Sequence, residues 1–67
     1  MNATEIHTHL DQLLAERAEA CATGLAEVRL YMADLEREIA ECRHAYVTTA
    51  VTEIASLRGE LSGRPAG

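Results

Sequence analysis

Apolar side chains recur through the middle of this sequence in alternating steps of four and three residues. We call this series the central ladder, and it runs without a miss through Leu14, Ala18, Cys21, Leu25, Val28, Met32, Leu35, Ile39, Cys42 and Tyr46. Such spacing places every member on one stripe of an α-helix, and it is the seam pattern of a coiled coil. The central ladder therefore predicts an all-α chain whose apolar stripe needs another helix against it.

The residue types between positions 4 and 61 favour helix throughout. Proline is absent there, Gly24 and Gly59 are the two glycines, and Ala, Leu, Glu and Arg dominate. These four types are among the strongest helix formers. Helix is the only state that agrees with both composition and spacing.

Both ends of the predicted helix carry recognisable signals. Asn2 with Glu5 three residues later has the pattern of a capping box. Gly63 followed by Arg64 and Pro65 has the order expected just past a helix terminus. We therefore predict a single helical coiled-coil segment with helix from about residue 3 to 62 and a short tail over 63–67.

Gly24 is the one position where the helix could bend or turn. Inside a continuous helix, glycine at this position costs about 1 kcal/mol of helix stability relative to alanine. A turn there would leave arms of about 20 and 38 residues, and the ladder continues through it without a phase change. The favoured prediction is one long amphipathic helix, kinked at most at Gly24, that forms a coiled coil or helical bundle. The alternative is a helical hairpin turning near Gly24.

The ladder slips near its ends, where apolar residues advance twice by four residues. Ile6, Leu10 and Leu14 are one such run, and Tyr46, Ala50 and Ile54 are the other. Each slip has the pattern of a stutter. The three-four rhythm resumes at Leu57 and Leu61. We therefore extend the predicted helix–helix interface from the central ladder to Ile54, Leu57 and Leu61.

A second row of small residues lies beside the ladder. We call it the alanine strip, and it consists of Ala15, Ala22, Ala26, Ala33, Ala40 and Val47. These residues raise helix propensity, and that is the favoured interpretation. They also allow a second interface, in a three- or four-helix bundle or against another protein.

An isolated helix of this kind needs a partner. Holding a residue in helix costs on the order of 1.5 kcal/mol in entropy, whereas an apolar side chain buried in a seam contributes roughly 1.5 to 3 kcal/mol. The orientation of the partner stays open. A parallel pair places Glu38 near Arg43 of the other chain, and an antiparallel pair brings Arg29 towards Glu36, but both are weak surface pairs.

Charge and composition exclude several classes of partner. Eleven acidic residues against six arginines give a net charge of −5, which repels nucleic-acid backbones. No window has the roughly 18 apolar residues needed to cross a bilayer, and the first residues lack the order of a signal peptide. We expect a cytoplasmic protein, or one within a large assembly formed there, with no direct nucleic-acid or membrane partner.

His7, His9 and Asp11 are the first candidates for chemistry. His7 and Asp11 could share a metal from one helical turn, yet so few ligands near a terminus make a weak site. We interpret all three as exposed polar residues and predict no metal or other cofactor.

The second candidates lie around residues 41–44. Glu41 and His44 form one Glu-x-x-His, but they fall on the outer side of the ladder. Cys42 belongs to the ladder itself, so we expect a buried thiol, with an interchain disulfide as the alternative. The sequence contains no phosphate-binding loop or nucleophile elbow. We predict neither catalysis nor a small-molecule substrate.

These expectations favour a small structural or assembly protein. It would act through helix–helix association, as a homo-oligomer or as a subunit of a larger particle. The alternative is an acidic helical regulator or inhibitor of a basic protein, because acidic residues line the outer face. That face carries Glu16, Glu19, Glu27, Asp34 and Glu41.

Overall fold

The chain forms two α-helices packed against each other in a computed structural model, which describes residues 1–62. Helix α1 spans Ala3–Thr23, a 3₁₀ turn spans Leu25–Glu27, and helix α2 spans Arg29–Ser62. Residues 1–62 contain no β-strand, and the all-α prediction is confirmed. The tail predicted over 63–67 lies outside the described residues.

The start of α1 has the predicted capping box. The Glu5 amide donates to Asn2 Oδ1 at 2.8 Å, and the Asn2 amide donates to Glu5 Oε1 at 3.2 Å. Two amide groups that would otherwise lack a partner at the helix end are thereby satisfied.

The helix does not continue through Gly24, in contrast to the favoured expectation. Gly24 ends α1 in the left-handed conformation, with φ +84° and ψ −2°. Glycine adopts this conformation without the steric clash that other residues meet. The Glu27 amide then donates to the Gly24 carbonyl at 3.1 Å, and the Val28 amide to the Leu25 carbonyl at 3.0 Å. The chain reverses within five residues, which agrees with the hairpin alternative.

Pairwise contacts show that the two helices are antiparallel. The Ala3 amide lies 3.1 Å from Glu53 Oε1 near one end of the pair, and Tyr31 contacts Glu16 towards the other. Between them a single core is formed by Ile6, Leu10, Leu13, Leu35, Ile39 and Cys42. Ile39 is the most completely enclosed large side chain, with 1% of its surface exposed.

The buried stripe of α1 is offset by one residue from the central ladder. Its buried residues are Ala3, Ile6, Leu10, Leu13 and Ala20. These positions also follow three-four spacing, with Arg17 filling the remaining step. The Arg17 side chain is partly buried, and its Nη1 lies 3.2 Å from Glu36 Oε1 on α2. An arginine can occupy this step because its aliphatic stem covers apolar surface while its charged end remains in water.

A tyrosine hydrogen bond connects the helices near the turn. The Tyr31 hydroxyl donates to Glu16 Oε2 at 2.5 Å. This hydrogen bond to a carboxylate stabilises the protonated phenol, and it raises the pKa of Tyr31 above its usual 10.0.

Candidate interaction surface

Helix α2 continues well past the start of α1. The helices have 34 and 21 residues, and the Ala3 amide contacts Glu53, so no part of α1 lies beside the last turns of α2. We call residues 54–61 the overhang. A helical stretch with no neighbour leaves its apolar side chains in water, where another helix can cover them.

The apolar residues at this end of α2 lie on one side of the helix. We call them the overhang face: Val47, Val51, Ile54, Leu57 and Leu61. Each has between 53% and 73% of its surface exposed. Isolated exposed apolar residues are common on proteins, but five adjacent ones form a patch of the kind that marks a binding surface.

The stutter predicted at Tyr46, Ala50 and Ile54 explains why this face turns away from α1. A step of four residues advances about 40° around a helix, and a step of three goes back about 60°. Alternating steps keep Leu35, Ile39, Cys42 and Tyr46 directed at α1, whereas two consecutive steps of four rotate the apolar stripe towards solvent. Most of the overhang face is therefore rotated away from the core stripe. Leu57 lies five full turns after Ile39 and keeps the direction of that stripe, and it is exposed because α1 does not extend beside it.

Charge is distributed unevenly along the chain. Nine of the eleven acidic residues and four of the six arginines lie in residues 1–43. Residues 44–62 contain three charged side chains, namely Glu53, Arg58 and Glu60. Residues 44–62, which include the apolar end of α2, thus carry a lower density of charge than residues 1–43 taken as a whole.

The structure divides the residues of the predicted interface into three groups. Leu35, Ile39 and Cys42 are buried in the core, and Leu14, Met32 and Tyr46 pack against it while partly exposed. The remaining members are exposed, and they are Ala18, Cys21, Leu25, Val28, Ile54, Leu57 and Leu61. The helix pair thus covers Leu14 and the part of the ladder from Met32 to Tyr46, and it leaves exposed the part around the turn and the extension to Leu61.

The alanine strip is not brought together by the helix pair. Ala26 is partly buried in the turn, and the other members are exposed: Ala15, Ala22, Ala33, Ala40 and Val47. Of these, Val47 belongs to the overhang face.

Sequence reasoning did not include the buried residues of α1 in the interface. Ile6 and Leu10 were seen only as members of a slipping run, and Ala3, Leu13 and Ala20 were not singled out. The signal that could have identified them is their own three-four spacing, in which a charged residue at position 17 takes one step.

The candidates for chemistry are spread over exposed surface. His7 Nδ1 lies 3.2 Å from Asp11 Oδ2, with both side chains more than half exposed. The His7 ring also meets Tyr46 edge-on at 5.3 Å between centroids. His9, Glu41 and His44 are exposed. Among residues 1–62, no group of three or more His, Cys, Asp or Glu side chains could hold a metal ion.

The two cysteines have different surroundings. Cys42 is buried, and its thiol donates to the Ile6 carbonyl at 3.5 Å across the helix pair. Cys21 is exposed on α1, and both thiols are free.

No protein-family model, curated protein sequence or solved structure matches the chain. Neither described helix has a segment long and apolar enough to cross a lipid bilayer.

Proposed function

We propose that this chain is a small, non-enzymatic structural or assembly protein that acts through helix–helix association. It works as a homo-oligomer or as a subunit of a larger particle, in a coiled coil or a helical bundle. The observation that supports the proposal is the overhang face, which residues 1–62 leave exposed.

The separation of the core from the overhang supports the same proposal. Residues up to Glu53 already pair with α1 and form a core. The overhang lies beyond that core, and its apolar residues have no role in the packing of the helix pair. A helix that is already folded before binding loses less conformational entropy when it binds a partner than a disordered segment does.

The test is the mass of the purified full chain in solution, measured by sedimentation equilibrium over a wide concentration range. We expect a mass above the 7.3 kDa of one chain at high concentration. Leu57→Glu should return the mass to that of one chain, because a charge then replaces an apolar side chain of the overhang face.

Ser56→Glu is the matched control for that variant. It adds the same charge one residue earlier, about 100° around the helix from Leu57, and should leave the mass unchanged. A wild-type chain that sediments as 7.3 kDa at every concentration would contradict the proposal.

A second candidate function is favoured by the uneven charge. Residues 1–43 carry nine acidic side chains against four arginines, which suits an acidic regulator that binds a basic protein. Binding of that kind weakens steeply as salt rises, because exposed charges are screened. Association through the overhang face should instead persist or strengthen, since salt screens the repulsion between two negatively charged copies.

A further inference from the structure

Residues 47–61 have the spacing of a short coiled-coil seam of their own, which we call the overhang seam. Val47, Ala50, Ile54, Leu57 and Leu61 follow steps of three, four, three and four. In heptad terms they alternate between the two seam positions, with Ile54 and Leu61 at a and Ala50 and Leu57 at d. A seam of this kind is complementary to a second copy of itself.

The apolar area is sufficient for a pair of copies. At the exposures observed, the overhang face presents roughly 500 Å² per chain, near the upper end of apolar patches on monomers. Two copies that covered each other's face would bury about 1,000 Å² in total, which is the lower bound for a specific interface. A larger partner is not required to cover this surface.

The charges beside the seam favour the parallel orientation, with each surface pair contributing weakly. Glu53 lies at g and Arg58 five residues later at e, so a parallel pair in register places Glu53 of one copy beside Arg58 of the other, twice by symmetry. An antiparallel pair aligns g with g and brings Glu53 towards Glu60 of the mate. Like charges at that distance oppose pairing.

The position of α1 is compatible with such a mate. The overhang seam lies roughly 60° around the axis of α2 from the stripe that contacts α1. Two helices at that angular separation, each about 8 to 10 Å from α2, touch one another as well. The second copy would therefore contact both α2 and the first turns of α1.

The seam ends at Arg43, which continues the same frame at a d position and is exposed. In a parallel pair, two arginines would face each other in that layer. Close pairing should therefore be confined to residues 47–61. The Leu25–Glu27 turns of the two copies should be apart from each other.

We propose that two copies of this chain pair in parallel and in register through residues 47–61. The two α2 helices form the centre, and the first turns of the two α1 helices flank them, so that this end becomes a four-helix bundle. This inference rests on the proposed function and names its partner as a second copy of the chain.

Disulfide trapping tests the orientation directly. In a Cys21→Ser background, Leu57→Cys should form a disulfide dimer in a glutathione buffer, because parallel d positions face each other. Ser56→Cys is the control, turned away from the seam, and the trapped fraction should differ on the order of tenfold or more. The Cys21→Ser chain, in which the buried Cys42 is the remaining cysteine, gives the background fraction of disulfide dimer. Circular dichroism checks that each variant remains helical.

An antiparallel pair would give a different product. It layers Ala50 on Leu61 of the mate, so a mixture of Ala50→Cys and Leu61→Cys chains would then form the mixed dimer preferentially. Preferential formation of that mixed dimer, or trapping at position 57 no greater than at position 56, would overturn the proposed pair.

Sedimentation separates this failure from failure of the assembly role. A mass above 7.3 kDa without trapping at position 57 would leave the assembly role standing and reject the parallel pair. A mass of one chain at every concentration would reject both.

Discussion

Ile39 lies at the centre of the single core, between residues of both helices, and 1% of its surface is exposed. In a core of six side chains, each member carries a large share of the apolar burial that holds the helices together. Small proteins with one such core have only a few kcal/mol of stability, so a single cavity can remove most of it.

We expect Ile39→Ala to reduce the free energy of unfolding by about 2 to 5 kcal/mol, because it removes buried methyl groups and leaves a cavity. Chemical denaturation followed by circular dichroism measures the change. Leu30→Ala is the control, since Leu30 is 83% exposed, and it should change stability by less than about 0.5 kcal/mol. Equal effects of the two substitutions would mean that the core is not where the structure has it.

Glu16→Gln should lower the pKa of Tyr31 towards its usual 10.0, because the hydrogen bond to the carboxylate is the largest cause of the raised value. A raised folded pKa contributes stability that is fully present below pH 10.0 and is lost as pH rises through the folded value. Near-ultraviolet absorbance of the tyrosinate, with Tyr31→Phe subtracted, follows the titration. An unchanged curve in Glu16→Gln would show that the two side chains do not interact in solution.

At the scale of elements, Gly24 decides whether the chain is one helix or two. The chain leaves α1 and starts the turn at Gly24, which has the left-handed conformation. A Cβ added to Gly24 would meet no atom within 4 Å. The obstacle to another residue is therefore conformational and not steric crowding from elsewhere in the chain. Gly59 provides the contrast, because it lies inside α2 with equally open surroundings.

We expect Gly24→Ala to destabilise the helix pair by roughly 1 to 2 kcal/mol, which is the cost of a left-handed conformation for a residue with a Cβ. Alanine also favours a continuous helix, so the radius of gyration should rise above the 17.5 Å of the paired helices. Small-angle scattering measures the dimension, with both chains compared in the Leu57→Glu background so that association does not contribute.

Gly59→Ala is the matched control for the turn variant. It should stabilise helix α2 by up to about 1 kcal/mol and should not increase the radius of gyration. If Gly24→Ala also left the radius unchanged and the protein equally stable, the turn would not depend on glycine.

The helical content and the cap at Asn2 could be predicted from the sequence because local residue types determine both. The turn could not, because the central ladder passes through Gly24 with its phase unchanged and concealed the reversal. The buried stripe of α1 was obscured for a related reason. Arg17 interrupts it, while Leu14, Ala18 and Cys21 offer a more regular series one residue away, and only packing against α2 decides between the two.

At the scale of the whole molecule, the described chain is a narrow rod with extents of 63 × 16 × 14 Å. Its paired part has a core, and its overhang has an apolar face without one. If copies associate through that face, folding and association become linked, since the associated state removes folded chains from the unfolding equilibrium.

The thermal midpoint should therefore rise with protein concentration. A tenfold increase in concentration is worth about 1.4 kcal/mol per pair of chains, which corresponds to roughly 3 to 6 °C for a chain of this size. Calorimetry or circular dichroism at several concentrations measures it. Leu57→Glu should abolish the dependence while Ser56→Glu retains it, and a midpoint independent of concentration in the wild-type chain would argue against linkage.

The unequal lengths of the two helices have a consequence for how such a protein can change. Substitutions, insertions or deletions beyond Glu53 leave every residue of the core in place. If copies associate through the overhang face, mutations in that stretch can therefore alter the strength of binding without unfolding the chain. Tolerance to mutation and adaptability in binding would then both be located beyond Glu53, apart from the core residues that determine stability.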